Sequence, residues 1–211
     1  DAYRYTRATS HWTIVYPYRS AQTNERARSI IMVRKNFSTE HWSALPLEHP
    51  DITGIEIRQE TGQLRIYNIY NDGENNNALF ALENFLRKER YPTDGSQGEI
   101  WLGDFNRHHP MWEDPRSKHL LNQRNEEKAQ KLIEMMGTYG MEMILPPAIP
   151  TLEALNSKNH TRPDNVFANF HFTDRILQCE VQHTLRPSKT DHYLIITKID
   201  FNPTCSIYRP R

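Results

Sequence analysis

Apolar residues recur along this chain with two distinct periods, and the switches between them predict its elements. Trp12-Thr13-Ile14-Val15-Tyr16 reads as a strand ended by Pro17, and Ser29-Ile30-Ile31-Met32-Val33 is a nearly continuous apolar run of the kind found in a buried strand. Ile52 to Arg58 and Leu64 to Tyr70 flank Glu60-Thr61-Gly62-Gln63, which predicts a hairpin with a glycine-containing loop. Leu79, Leu82, Phe85 and Leu86 then repeat at helical spacing behind Asn77, a residue suited to cap a helix. A second helix is expected from Asn125, with Glu126 and Glu127 in its first turn. Its apolar face is Ala129, Leu132, Ile133 and Met136, and Gly137 or Gly140 can end it. The run Glu99 to Leu102 and the segments Met141 to Leu145, Asn165 to Ala168, Ile176 to Glu180 and Tyr193 to Asp200 read as further strands. Many strands with few intervening helices predict an α+β chain with two sheets and helices outside them, in place of a doubly wound fold.

The candidate chemistry sits where these strands end. Gly103-Asp104-Phe105-Asn106 follows the apolar run Ile100-Trp101-Leu102. In a strand, residues i and i+2 share a face, so Asp104 and Asn106 are expected to face one centre from the rim of a sheet. A carboxylate that takes a proton from water and an amide that donates to a charged oxygen suit phosphate-ester chemistry. Turn chemistry alone would also place Asp and Asn there. Asn68 and Tyr70 share a face at another predicted strand end, where a tyrosine hydroxyl can reach a phosphate oxygen. Thr161-Arg162-Pro163-Asp164 leads an acid into an apolar strand, and Arg162 and Asp164 could equally be an ordinary surface ion pair. Asp191-His192 precedes Tyr193-Leu194-Ile195-Ile196, and histidine exchanges protons near neutral pH.

Composition narrows the partners. The 211 residues carry 26 basic and 26 acidic side chains, a formal net charge of zero. No global basic field holds nucleic acid, so binding would need a local patch or a metal. Arg175, Arg186 and Lys189 are candidates for that patch. Mean hydropathy is −0.79, but 10% aromatic residues argue against disorder. Cys179 and Cys205 form neither a disulfide framework nor a metal-ligand spacing, which favours a reduced intracellular setting. No sequence stretch approaches the length of a membrane-spanning helix, and no signal peptide is expected.

Together, the strand-end tyrosine, Gly103-Asp104-Phe105-Asn106, the Arg162 to Phe167 stretch and Asp191-His192 resemble, in that order, the endonuclease/exonuclease/phosphatase superfamily. Gly103 to Trp112, Ile149-Pro150-Thr151-Leu152 and Arg162-Pro163-Asp164-Asn165-Val166-Phe167 look like the endonuclease domains of LINE-type, non-LTR retrotransposons. The resemblance covers essentially the whole chain. It implies a four-layer α/β sandwich of two packed, mostly antiparallel sheets flanked by helices, as one domain over 1–211. It implies a Mg²⁺-dependent endonuclease that nicks DNA, with Mn²⁺ as an alternative ion. It also implies nuclear access and a reverse transcriptase domain in the same parent polypeptide. Asp104 would activate the attacking water, Asn106 would bond the phosphoryl oxygen, His192 would contact the phosphate and Asp164 would orient His192. Tyr70 and Asn68 would line the phosphate pocket. Asp191, with Asp104, would serve the metal. Thr151, His108, His109 and Arg162 are candidate phosphate or DNA contacts, although His108 and His109 could instead shape a loop anchored by Trp112.

The chain also departs from that pattern. The superfamily opens with two strands, the second bearing the principal glutamate ligand, and Asp1-Ala2-Tyr3 already looks like the segment beyond it. Glu25 lies in a polar stretch and is no replacement. The expectation is a chain shortened at its N-terminus and lacking the first strands. Pro163 stands where an isoleucine or leucine is usual, which is expected to alter local pairing. Two alternatives to an active nuclease therefore stay open. One is an impaired relic or nucleic-acid-binding module of the same fold, and the other is a phosphatase of the same superfamily.

Overall fold

The computed structural model describes residues 9–18, 26–59, 62–89 and 97–200. Its strands are β1 (Trp12–Val15), β2 (Ile31–Arg34), β3 (Trp42–Ala44), β4 (Ile52–Gln59), β5 (Gly62–Tyr70), β6 (Gln97–Asp104), β7 (Met141–Met143), β8 (Leu152–Glu153), β9 (His160–Thr161), β10 (Asp164–Asn169), β11 (Ile176–Gln182) and β12 (Leu194–Ile199). The helices are α1 (Asn77–Lys88) and α2 (Gln123–Thr138). Glu25, Glu60, Thr61, Cys205 and Asp1 to Tyr3 lie outside the described residues.

Six strands form one mixed sheet in the order β3-β4-β5-β6-β10-β7. Its neighbours are antiparallel except β5 and β6, which run parallel. A parallel pair needs a crossover, and α1 supplies it. Gln59 pairs with Gly62, so the expected hairpin is present. β1–β2, β11–β12 and β8–β9 are separate two-stranded pairs.

Period-two alternation gives the sheet two apolar faces. Ile52, Tyr67, Ile69, Trp101 and Phe167 face one core with Leu79, Leu82 and Leu86 of α1 and Ala129, Leu132 and Met135 of α2. Ile55, Ile57, Leu64, Ile100, Val166 and Ala168 face a second core with Val15, Val33 and Phe172, flanked by Ile195 and Ile199. The α+β sandwich expected from the sequence is present, with both α-helices on the first core.

Helix boundaries differ from the sequence reading by a turn or less. Asn76, not Asn77, is the N-cap of α1. Asn122 caps α2 and exchanges hydrogen bonds with Asn125 in a capping box, so Asn125 is the third helical residue and not the start. Gly137 lies inside α2, and Gly140 follows the helix with φ +60°. Pro163 does not interrupt pairing: its carbonyl accepts from Phe105 N at 2.9 Å, and Asp164 pairs with Asp104 next to it.

Candidate active site

The site assembles at one end of the central strands. β5 ends at Tyr70, β6 ends at Asp104 and β10 begins at Asp164, and Tyr70–Asp104 and Asp104–Asp164 are register partners. Gly103 makes this convergence possible. Its φ is +129°, and a Cβ there would lie 2.1 Å from the Ile69 carbonyl oxygen.

Asp104 and Asn106 meet by a turn, not by strand alternation. The strand stops at Asp104, and Asn106 adopts φ +48°. Its backbone N–H donates to Asp104 Oδ1 at 3.0 Å, and its Nδ2 donates to the Asn71 carbonyl at 2.9 Å. Asparagine tolerates that left-handed backbone and bonds locally there. Beneath the turn, Phe105 is fully buried against Phe167. Arg107 is 1% exposed and ties the turn to the α1 cap through Asn76 Oδ1 at 2.9 Å.

Asp104, Asp164 and His192 offer ligand atoms that all lie within 4.8 Å of one another. His192 Nδ1 lies 2.8 Å from Asp164 Oδ2, where it donates. The Asp164 hydrogen bond raises the His192 pKa above its usual value against the opposing effect of burial. Burial, and then the Asp164 charge, pushes Asp104 up to about 6, although His192 and Asn106 pull the other way. A third carboxylate, Asp191, stands outside this cluster, with Oδ1 3.9 Å from His192 Nε2. Asp191, the acid expected to serve a metal with Asp104, is thus beside His192 but not among the three residues whose ligand atoms converge.

Thr151 is fully buried, and its hydroxyl is committed to Asp164. It positions that carboxylate and does not offer itself to phosphate. Arg162 is a clearer correction. It has 0% exposure, its Nε donates to Asn165 Oδ1 at 2.9 Å, and its Nη atoms donate to the Leu145 and Pro146 carbonyls. Burial pushes the guanidinium down to about 10. It fastens β10 from within and makes neither a surface ion pair with Asp164 nor a cation for DNA. Arg186 is likewise committed, to Glu153 and the Thr190 carbonyl.

His108 and His109 shape the following loop. His108 Nδ1 lies 2.6 Å from Glu113 Oε1, and His109 Nδ1 accepts from Met111 N at 3.1 Å. Trp112, fully buried, donates to the Arg107 carbonyl and anchors the loop. Asn68 shares the Tyr70 face as expected, and its Nδ2 donates to the Ile30 carbonyl at 2.9 Å.

Two residues escaped the sequence reading. Asn71 is fully buried and bonds Phe105 O through Nδ2. Its place directly after Tyr70 was the only signal. Arg28 lies over the Tyr70 ring at 4.6 Å and grips Asp51 with Nε and Nη2, both at 2.6 Å. It comes from a stretch with no periodicity, so nothing in the sequence marked it.

Fold and strand-end site together define the scaffold of the endonuclease/exonuclease/phosphatase superfamily. Residues 64–202 match the endonuclease–reverse transcriptase family model, and the chain belongs to that family. The endonuclease domain of TRAS1, a telomere-specific non-LTR retrotransposon, is similar at 16% identity, over 91% of this chain and 81% of that one, with a TM-score of 0.68. An AP endonuclease from Archaeoglobus fulgidus is similar at 15% identity, over 90% and 80%, with a TM-score of 0.61. The mannosyl-6-phosphatase Bt3783 of Bacteroides thetaiotaomicron is similar at 12%, over 91% and 78%, with a TM-score of 0.56. No match is found among curated proteins. Among the described residues, no helix is long and apolar enough to cross a membrane.

Proposed function

We propose that this chain is a divalent-metal-dependent phosphodiesterase that nicks DNA, of the kind used by non-LTR retrotransposons. The observation that carries the reading is the convergence of Asp104, Asp164 and His192 within 4.8 Å, from three separated stretches of sequence. The Asp164 charge raises the cost of ionising Asp104, and a hard cation between them offsets that repulsion, so the donor set fits Mg²⁺ or Mn²⁺ held by Asp104 and Asp164. When bound, the ion supplies Lewis-acid stabilisation of the scissile phosphate.

The chain's own residues divide the remaining work. Asp104 takes a proton from the water whose oxygen attacks phosphorus, while the P–O bond to the leaving strand end breaks and the departing oxygen takes a proton from solvent. Asn106 keeps one Nδ2 proton beyond its bond to Asn71 and directs it at a phosphoryl oxygen. Asp164 holds Nδ1 of His192, so the cationic ring presents Nε2 to the phosphate. Thr151 locks Asp164 for that task. Tyr70 lends its hydroxyl to the pocket wall, and Arg28 holds its ring. The parent polypeptide carries a reverse transcriptase domain and reaches the nucleus to meet its substrate.

End-labelled duplex DNA incubated with the chain and Mg²⁺ tests the reading. Internal cuts that vanish with Asp104→Asn and with chelator support it. Phosphate release from a sugar phosphate without internal cuts assigns the site to phosphatase chemistry instead.

A further inference from the structure

The loop that leaves the Asp104–Asn106 turn holds a second carboxylate–imidazole pair. His108 Nδ1 donates to Glu113 Oε1 at 2.6 Å, just as His192 Nδ1 donates to Asp164 Oδ2 at 2.8 Å. The two pairs are built alike. The Glu113 and Asp164 side chains are 2% and 13% exposed, and the His108 and His192 rings are 27% and 31% exposed. Both acids also belong to the start of β10. Asp164 is its first residue, and Glu113 takes the N–H of Arg162, two residues earlier, on both oxygens at 3.1 Å.

Loop shape alone does not require the ring. Glu113 ties the loop to β10 through the Arg162 backbone, and Trp112 anchors it separately on the Arg107 carbonyl. The ring leaves one polar atom over: among the described residues nothing bonds His108 Nε2. His109 has no such atom to spare at Nδ1, which accepts from Met111 N while its ring rests against Trp112. The His108 pair is not a metal site. Both Glu113 oxygens are occupied, and the converging ligand atoms among the described residues are those of Asp104, Asp164 and His192. Nor do the neighbouring guanidinium groups face outward. Arg107 and Arg162 are buried, and Arg186 is committed to Glu153 and Thr190. A chain of net charge zero has no general field for DNA, so local groups must hold the strand. His108 is two residues beyond Asn106, at most about 7 Å of backbone, and so borders the site.

We propose that His108 positions the DNA strand: Glu113 sets the ring, and His108 Nε2 donates to a phosphate oxygen adjacent to the scissile phosphate. The proposal rests on the nuclease reading of the Asp104 site. With Nδ1 committed to Glu113, Nε2 donates when the ring carries its second proton, and an anion on each side holds that proton in the complex. Phosphate is the acceptor that a DNA strand presents at every step, so the contact sets register and reads no sequence. His108 touches no reacting atom. Its contribution is made equally to bound substrate and to the transition state, so its loss shows in KM and not in kcat.

Two substitutions separate the two ring nitrogens. His108→Asn places an amide N–H near the Nδ1 position and nothing at Nε2. His108→Gln places its amide N–H near Nε2 and leaves Glu113 without the ring. Steady-state cutting of an end-labelled duplex with Mg²⁺, and fluorescence anisotropy of the same duplex with Ca²⁺, are read for the parent chain and both variants. His108→Asn should raise KM and Kd about tenfold with kcat within about twofold, and His108→Gln should recover most of that loss. A ring that only shapes the loop gives the reverse order, with His108→Asn close to the parent and His108→Gln impaired, and that order overturns the proposal. So do equal affinities for all three proteins, equal impairment of both variants, or a fall in kcat at unchanged KM. A parent chain that binds the duplex without cutting it contradicts the nuclease reading, and the order of Kd values still decides the role of His108. A parent chain that binds no duplex overturns the proposal outright.

Discussion

Thr151 and Asp164 hold each other in both directions: Thr151 Oγ1 donates to Asp164 Oδ2 at 2.7 Å and accepts from Asp164 N at 3.2 Å. The same Oδ2 takes the His192 Nδ1 proton at 2.8 Å. Thr151 thereby fixes the carboxylate that fixes the imidazole. Thr151→Val keeps the volume and removes both bonds, at a cost of about 1–3 kcal/mol for a buried partner left unmade. Nicking should fall about tenfold or more with little change in DNA affinity, and Thr151→Ser should restore most of it. Steady-state kinetics on the three proteins check this.

The pH dependence follows from two groups. Asp104 is pushed up to about 6, so its basic form fills only as pH rises through that value. His192 is raised above its usual value, chiefly by the Asp164 hydrogen bond, so its cation persists to higher pH than that of a free imidazole before it is lost. With the ion bound, whose charge favours the Asp104 carboxylate, activity should rise on the acid side at or below about pH 6 and fall on the alkaline side as the His192 cation is lost. Asp164→Asn removes the largest cause of the His192 shift and should move the alkaline limb to lower pH. A pH–rate profile for each protein reads both limbs.

Stability carries the opposite signature at Asp104. Its folded pKa lies above the unfolded value near 3.8, so folding favours the protonated form and loses stability as pH rises from about 4 through about 6. His192 also has a raised folded pKa, and its contribution is complete below about 6.5 and lost as pH climbs through the folded value. Asp104→Asn should therefore stabilise the metal-free chain at pH 8 by about 1–3 kcal/mol while abolishing activity. Urea unfolding at pH 5 and pH 8 separates the two effects.

Gly103→Ala tests the backbone approach beneath the site. A methyl there meets the Ile69 carbonyl, which belongs to the paired strand and cannot swing away. The expected loss is about 3 kcal/mol or more, as a strained φ and a clash combine. Thermal unfolding with a matched Gly73→Ala control checks it, since Gly73 has open space around it.

Arg28 is the fifth case. Asp51 is buried, and Arg28 grips both of its oxygens while also bonding Asp72 at 3.0 Å. Arg28→Gln removes that two-pronged contact, with an expected loss of about 1–2 kcal/mol, since the guanidinium side of the pair is 41% exposed. Arg28→Lys should rescue little, because an ammonium cannot form the two-pronged contact or stack on Tyr70 in the same way. Denaturant midpoints for both variants give the answer.

The convergence of three polar groups is partly legible in the sequence: Asp104, Asp164 and His192 each abut an apolar run, and strand ends are where such residues can meet. Their distances were not readable, because register across β6 and β10 is a long-range property. Arg162 shows the limit most plainly. A cation beside an acid looks like a surface pair, and only the fold brings the Leu145 and Pro146 carbonyls around it. Thr151 was placed near the phosphate because its burial could not be seen. β8 and β9, two residues each, are too short to show any period. The cap of α2 was missed by a turn because Asn122 and Asn125 are both good caps, and their mutual bonds decide between them.

Conversion of supercoiled plasmid to open circles by this chain, with and without Mg²⁺, tests the central claim most directly. The account predicts nicking that requires the ion and falls at least about a hundredfold with Asp104→Ala. Equal nicking by the parent chain and Asp104→Ala, or nicking that survives removal of the ion, would contradict it.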